Sequence, residues 1–332
     1  MRNLAGSLGF FGLALVLVAA GCGSDDEESG ANAGAGGAGG AGAAGAAGNP
    51  AAGAAGSQAG AAGAPGTGGA GNGGAGNGGA GAGGAGGGGG AAGSAGAMPA
   101  NTKIRFLHHS TGGVIWGGGV SEFFDGYNAS SSKSYEITEQ EFPKSDPYGW
   151  KNYPYDYWNI WVSHGGDQEY MTEPTLEILT KSYGVIVFKH CFPVSGIEAD
   201  GTPDVADETK TVANYKLQYE ALKAKMHSFP GNRFLVWTGA ALKQSETNQD
   251  QGQRAKAFFD WVKGTWDEKG DNIFVWDFWQ LETEGGLYLT EANASSDSHP
   301  NSTFASKVAP LLGQRIVDVI EGRGDTGSLT GE

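Results

Sequence analysis

Between Ser29 and Thr102 the chain has no Asp, Glu, Lys or Arg. Aromatic residues are missing there too: apart from Phe10 and Phe11, every Phe, Trp and Tyr lies after residue 100. A segment with neither charge nor large apolar surface cannot build a core. The 332 residues therefore do not divide into two folded domains. Cysteine is nearly absent, with Cys22 and Cys191 the only two, which excludes a disulfide framework. Only Pro50 and Pro65 interrupt the repeated Ala-Gly-Gly and Gly-Asn-Gly-Gly units, and the glycine register breaks. Collagen requires a strict register and far more proline. Positive charge is also short, with 21 Lys and Arg against 36 Asp and Glu, a net −15. Up to Thr102 the only charges are Arg2 against Asp25, Asp26, Glu27 and Glu28, so most of the deficit falls on the remainder. That balance repels a nucleic-acid duplex or an anionic lipid surface.

What is present begins with an export signal. Arg2 supplies a positive start, and Leu8 to Ala20 is an apolar run of signal-peptide length, too short to span a membrane comfortably. Small residues lead to Cys22, and Val18-Ala19-Ala20-Gly21-Cys22 resembles a bacterial lipoprotein lipobox. Ala19 departs from the commoner Leu. The resemblance implies that residues 1–22 carry the lipoprotein signal, that Cys22 is lipidated and becomes the new N-terminus, and that the protein sits in the cell envelope with lipid as the only membrane contact. Residues 23–100 then form a Gly/Ala-rich tether. A flexible coil of ~70 residues spans roughly 45 Å.

Residues 101–325 read as one α/β domain. Residues 103–108, 184–189, 233–238 and 272–277 are apolar runs expected as strands, and 135–142 alternates as a fifth. Helical spacing runs through 172–181, 207–227, 253–266 and 302–321. Alternating strands and helices predict a three-layer αβα sandwich around a central, mostly parallel sheet of about five strands. Ligands of such sheets bind beyond the carboxyl ends of the strands.

Chemistry-bearing residues occur at those ends. The first strand runs into His108-His109-Ser110-Thr111-Gly112-Gly113, which exposes a hydroxyl at a turn among flexible backbone N–H groups. Asp297-Ser298-His299-Pro300-Asn301 precedes the last helix. There a His can act as base to the Ser while a carboxylate two residues earlier orients its ring. Asn301 or Ser302 is the expected helix cap, which leaves His299 free of that role. No Gly-x-Ser-x-Gly elbow of an α/β-hydrolase occurs.

Over residues 103–320 this pattern resembles the SGNH (GDSL-like) hydrolase superfamily. The resemblance implies an SGNH- or flavodoxin-like fold and an esterase with Ser110 as nucleophile, His299 as base and Asp297 as orienting acid. It implies no cofactor and no metal, and an acyl-ester substrate such as an acetylated polysaccharide; a monomer is expected. Three departures stand out. His108-His109-Ser110-Thr111 replaces Gly-Asp-Ser-Leu. Asp-x-His replaces the common Asp-x-x-His, a spacing similar to that of SGNH-like polysaccharide acyltransferases. No Gly-x-Asn-Asp block follows the third strand, where the chain reads Lys189-His190-Cys191-Phe192-Pro193-Val194-Ser195. Lys189, His190 and Ser195 are the alternatives for the missing oxyanion donor, with Thr111 and Gly112 beside the nucleophile. Gly149 is a candidate for the second-block glycine.

Other readings compete. His108 and His109 point to opposite strand faces and cannot readily share one ion, and no His-x-His or His-Glu-x-x-His spacing occurs. Cys191, after a buried strand, reads as a small buried hydrophobe. Tyr148, Trp150, Tyr153, Tyr155, Tyr157, Trp158 and Trp161 form either a sugar-stacking platform or a loop held by its own aromatic packing. Trp116 is a further candidate pocket wall. The acidic run Asp204 to Glu208 reads as a solvated helix start. A non-catalytic glycan-binding lipoprotein is the alternative that the missing Asn block favours.

Overall fold

A computed structural model describes residues 96–149 and 153–332. The expectations for Cys22, for the export segment, for the tether up to residue 95 and for Trp150 lie outside the described residues. The five expected strands form one sheet: β1 (Lys103–His108), β2 (Glu136–Glu141), β3 (Val185–Phe188), β4 (Arg233–Trp237) and β5 (Ile273–Trp276). The order is β2-β1-β3-β4-β5 and every pairing is parallel. The chain winds from β1 outward to β2, then returns past β1 to β3. This reversal opens a crevice at the carboxyl ends of β1 and β3.

Alternation along the strands divides the core. Phe106, Val187, Leu235 and Phe274 face one side, under α1 (Thr111–Trp116), α2 (Val120–Ser130) and α8 (Ser302–Ile320). Ile186, Phe188, Val236 and Val275 face the other. There they meet α3 (Pro154–Trp158), α4 (Leu176–Ser182), α5 (Val212–His227) and α6 (Gln249–Trp261). Both faces being covered explains why β3, β4 and β5 are buried throughout. Strand β2 is an edge. Three of its six residues, Glu136, Glu139 and Glu141, carry charge, which helps an edge strand avoid pairing with another chain. The result is a three-layer αβα sandwich, all-parallel where the sequence reading had mostly parallel.

Several details differ from the sequence reading. The short helices α1 and α2 follow β1, where three consecutive glycines, Gly117 to Gly119, hide their periodicity. A short α7 (Phe278–Thr283) follows β5. The acidic run is not a helix start. Asp204 and Asp207 accept from the Ala206 and Thr209 N–H groups in local turns, and α5 begins later behind the Thr211 cap. Hydrogen bonds also reach outside 101–325. Met98 N–H donates to the Ile320 carbonyl at 2.8 Å, and Asp277 N–H to the Leu329 carbonyl at 2.8 Å.

Most of the aromatic stretch is core. Tyr153 at the start of α3, Tyr157 within it and Trp161 in the π-helical turn that follows are buried. Tyr148, Tyr155 and Trp158 pack partly buried against them. For these residues the self-packed reading holds, with Tyr155, Tyr157, Trp158 and Trp161 on helical turns and Tyr148 and Tyr153 on the segment that leads into them.

Candidate active site

Ser110 is the second of the two residues between β1 and α1, directly before the helix. Its backbone φ is 38° and ψ is −93°. Positive φ is costly for a residue with a side chain, typically ~1–3 kcal/mol. The strain turns the chain sharply from strand into helix and leaves the hydroxyl at the apex. What lets α1 come so close is Gly112. A Cβ there would overlap the His108 Cβ and lie 3.1 Å from Lys189 Cδ.

His299 reaches this hydroxyl from the loop before α8. Ser110 Oγ is hydrogen-bonded to His299 Nε2. On the other ring edge, His299 Nδ1 lies 2.9 Å from Asp297 Oδ2. A carboxylate only accepts, so Nδ1 carries the proton and Nε2 is left to accept from Ser110. Asp297 Oδ1 accepts from the His299 backbone N–H at 3.0 Å and from the Ser295 hydroxyl at 2.8 Å. Partial burial pushes the Asp297 carboxyl up, but the His299 side chain, the His299 N–H and Ser295 together outweigh it and hold it down at about 2. The carboxylate is therefore charged at any ordinary pH. Asn301 caps α8 by accepting from the Phe304 N–H at 2.9 Å, which leaves His299 to Ser110.

Phe192, which sequence reasoning passed over, lies edge-to-face against the His299 ring, centroids 4.9 Å apart. It is half-buried on the short 3-10 turn Phe192–Ser195 that follows β3. Its position, four residues beyond an apolar strand end, was the available signal.

The other sequence candidates separate into different roles. Gly112 donates its N–H to the His109 carbonyl at 2.6 Å, so its role is close packing rather than oxyanion binding. The Thr111 hydroxyl is buried against Cys191 Sγ at 3.4 Å, which ties α1 to the end of β3. His190 is not at the crevice. It is buried on the opposite core face, beside Tyr157 and 3.1 Å from the Tyr219 hydroxyl. Burial, with the Lys189 charge adding, pushes its ring down to about 3. Ser195 is buried and donates to the Ala240 carbonyl at 2.5 Å, so it offers no free donor to a substrate. Gly149 is exposed, with φ 75°, and donates its N–H to the Ser145 carbonyl at 3.0 Å in a turn. Trp116 packs half-buried against Phe106 and the core beneath α8. Lys189 is the one former alternative still beside the nucleophile turn. It is buried, with its stem against Gly112, and its own carbonyl accepts from the Tyr157 hydroxyl at 2.7 Å.

His108 and His109, flanking the turn, are buried as well. His108 Nε2 lies 2.6 Å from Glu139 Oε2 and His109 Nδ1 lies 3.7 Å from Glu141 Oε1. Burial lowers both rings, His109 to about 3, so these contacts join neutral imidazoles to carboxylates at neutral pH. A separate surface cleft of about 340 Å³ lies between α2 and the first residues of β2, at the opposite end of the sheet from Ser110.

Comparison with protein-family models, with curated proteins and with solved structures gave no match.

Proposed function

We propose that the protein is a serine esterase that hydrolyses acyl esters, with O-acetyl groups on glycans as the candidate substrate. The carrying observation is the continuous relay from Ser110 Oγ through His299 to Asp297, set on a strained strand-to-helix turn. In this reading the Ser110 hydroxyl attacks the ester carbonyl while His299 Nε2 takes its proton. The imidazolium formed is stabilised by Asp297 and returns the proton to the leaving alkoxide. Water, activated by the same nitrogen, then attacks the acyl-enzyme and frees Ser110. The Thr111 backbone N–H, first in α1, is the donor nearest in sequence to the developing oxyanion. Phe192 shields one side of His299 from water. Lipidation at Cys22 would hold the enzyme in the bacterial cell envelope, with the tether, charge-free beyond Glu28, letting it reach its polymer.

A fluorophosphonate probe tests this reading. It should label the wild-type protein and leave the Ser110→Ala variant untouched, and the same variant should lose hydrolysis of aryl acetates. A wild-type protein that is neither labelled nor active would sink it and favour a glycan-binding surface lipoprotein. The Asp-x-His spacing supports a second reading, transfer of the acyl group to a sugar hydroxyl. Competing water and glycan acceptors would separate the two by product.

A further inference from the structure

The residues that follow β4 form a buried loop, and a buried loop must find a partner for each of its backbone polar groups. Residues 238–242 are all buried. From Ala240 onward, each successive residue spends a backbone group on a different neighbouring segment, the first and the last of them on elements of the candidate site. The Ala240 carbonyl accepts from Ser195 Oγ at 2.5 Å, on the turn that also carries Phe192. The Ala241 N–H donates to Glu282 Oε2 of α7 at 2.7 Å. The Leu242 carbonyl accepts from the Leu289 N–H at 3.0 Å. The Lys243 N–H donates at 2.9 Å to the hydroxyl of Ser298, the residue between Asp297 and His299.

Ser298 is fully buried although both of its neighbours face the crevice. Its hydroxyl accepts from Lys243 and donates to Glu246 Oε2 at 2.5 Å, so both of its capacities are used. Within the loop, the Ser295 N–H donates to the His299 carbonyl at 2.8 Å and the Asn301 N–H to the Asn293 carbonyl at 2.8 Å. Those bonds shape residues 293–301 but do not fix them relative to Ser110.

We propose that the strap Ala240–Lys243 sets the register of the Asp297–His299 loop, with Ser298 and Glu246 as its positioning residues. The Asp-x-His spacing then has a physical reason, because the intervening side chain points inward as the anchor. The catalytic consequence rests on the esterase reading; the mechanical one does not.

Two variants and two readouts test it. Ser298→Ala removes the hydroxyl, and Glu246→Ala removes its acceptor from an exposed position where folding is not at stake. Glu246→Gln keeps an oxygen and serves as the rescue. Amide hydrogen exchange over residues 290–301 should accelerate at least tenfold in both Ala variants, stay near wild type in the Gln variant, and not change in β1 or β5. Fluorophosphonate labelling should slow by about 10- to 100-fold in the Ala variants, the scale expected when a catalytic group is displaced by about an ångström. Unchanged exchange over 290–301 in both Ala variants overturns the strap. A wild-type protein that the probe ignores sinks the esterase reading instead, and the exchange data still decide the strap.

Discussion

The Ser110 hydroxyl is hydrogen-bonded to His299 Nε2 although 189 positions separate the two residues in the chain. Parallel topology makes the contact. β1 delivers Ser110 to the carboxyl edge of the sheet, and the connection from β5 to α8 crosses the same edge before descending. What the pair can do depends on a third group that selects the imidazole tautomer.

Asp297 is that group, and its contribution is separable from folding. Its side chain is half-exposed, so Asp297→Asn leaves the loop its shape while removing the charge. The amide can present either oxygen or nitrogen to His299 Nδ1, so the ring loses its fixed tautomer. The expected result is a fall in kcat of about 10²- to 10⁴-fold with KM little changed. Steady-state hydrolysis of an aryl acetate by the two proteins measures it. Equal kcat values would remove Asp297 from the relay.

Gly112 and Gly113 are adjacent, and substitution should separate them sharply. A methyl at Gly112 meets the His108 Cβ, an atom fixed to the β1 backbone, so α1 or the strand end must shift. Overpacking of this kind costs about 1–3 kcal/mol. It also moves the Ser110 turn. At Gly113 the nearest atom to an added Cβ is His108 Cε1 at 3.5 Å, an ordinary contact. Gly112→Ala should lower the melting temperature and probe labelling together. Gly113→Ala should match or exceed wild-type stability, because Ala is favoured over Gly in a helix by about 1 kcal/mol. Thermal melts with labelling rates on both variants check the contrast.

These cases show where sequence was informative. The apolar runs of β3, β4 and β5 are legible because both faces of those strands are buried, so no polar residue interrupts them. Ser110, Asp297 and His299 stand out in the sequence because a hydroxyl at the end of a strand and a closely spaced carboxylate and imidazole before the last helix suit nucleophilic chemistry. The fates of His190 and Ser195 were not. Both follow β3, but which core face each enters depends on one residue of register at the strand's end. The strap was illegible for a different reason. Ala240, Ala241, Leu242 and Lys243 act through backbone groups that every residue but proline possesses, so no side chain announces them. Glu246 and Ser298 read as ordinary surface and loop residues until the fold brings them together.

At the other end of the sheet, Asp267 ties stability to pH. Burial pushes its carboxyl from 3.8 up to about 7; Arg315 opposes the shift, and Asp271 and Asp325 add to it. The folded protein therefore keeps a proton on Asp267 that the unfolded chain releases near pH 4. Stability from this group is complete below pH 4 and is lost as pH rises toward 7, because ionisation then favours the unfolded chain. Asp267→Asn removes the titration while keeping the size. Arg315 retains the Val275 and Gly324 carbonyls, at 2.9 and 2.7 Å, so the substitution does not strand it. The variant should match wild type near pH 4 and exceed it at pH 7 and above, by at most about 4 kcal/mol. Urea denaturation of both proteins across pH 4–8 measures the difference. A gap that does not widen with pH would mean that the Asp267 carboxyl is ionised in the folded protein throughout that range.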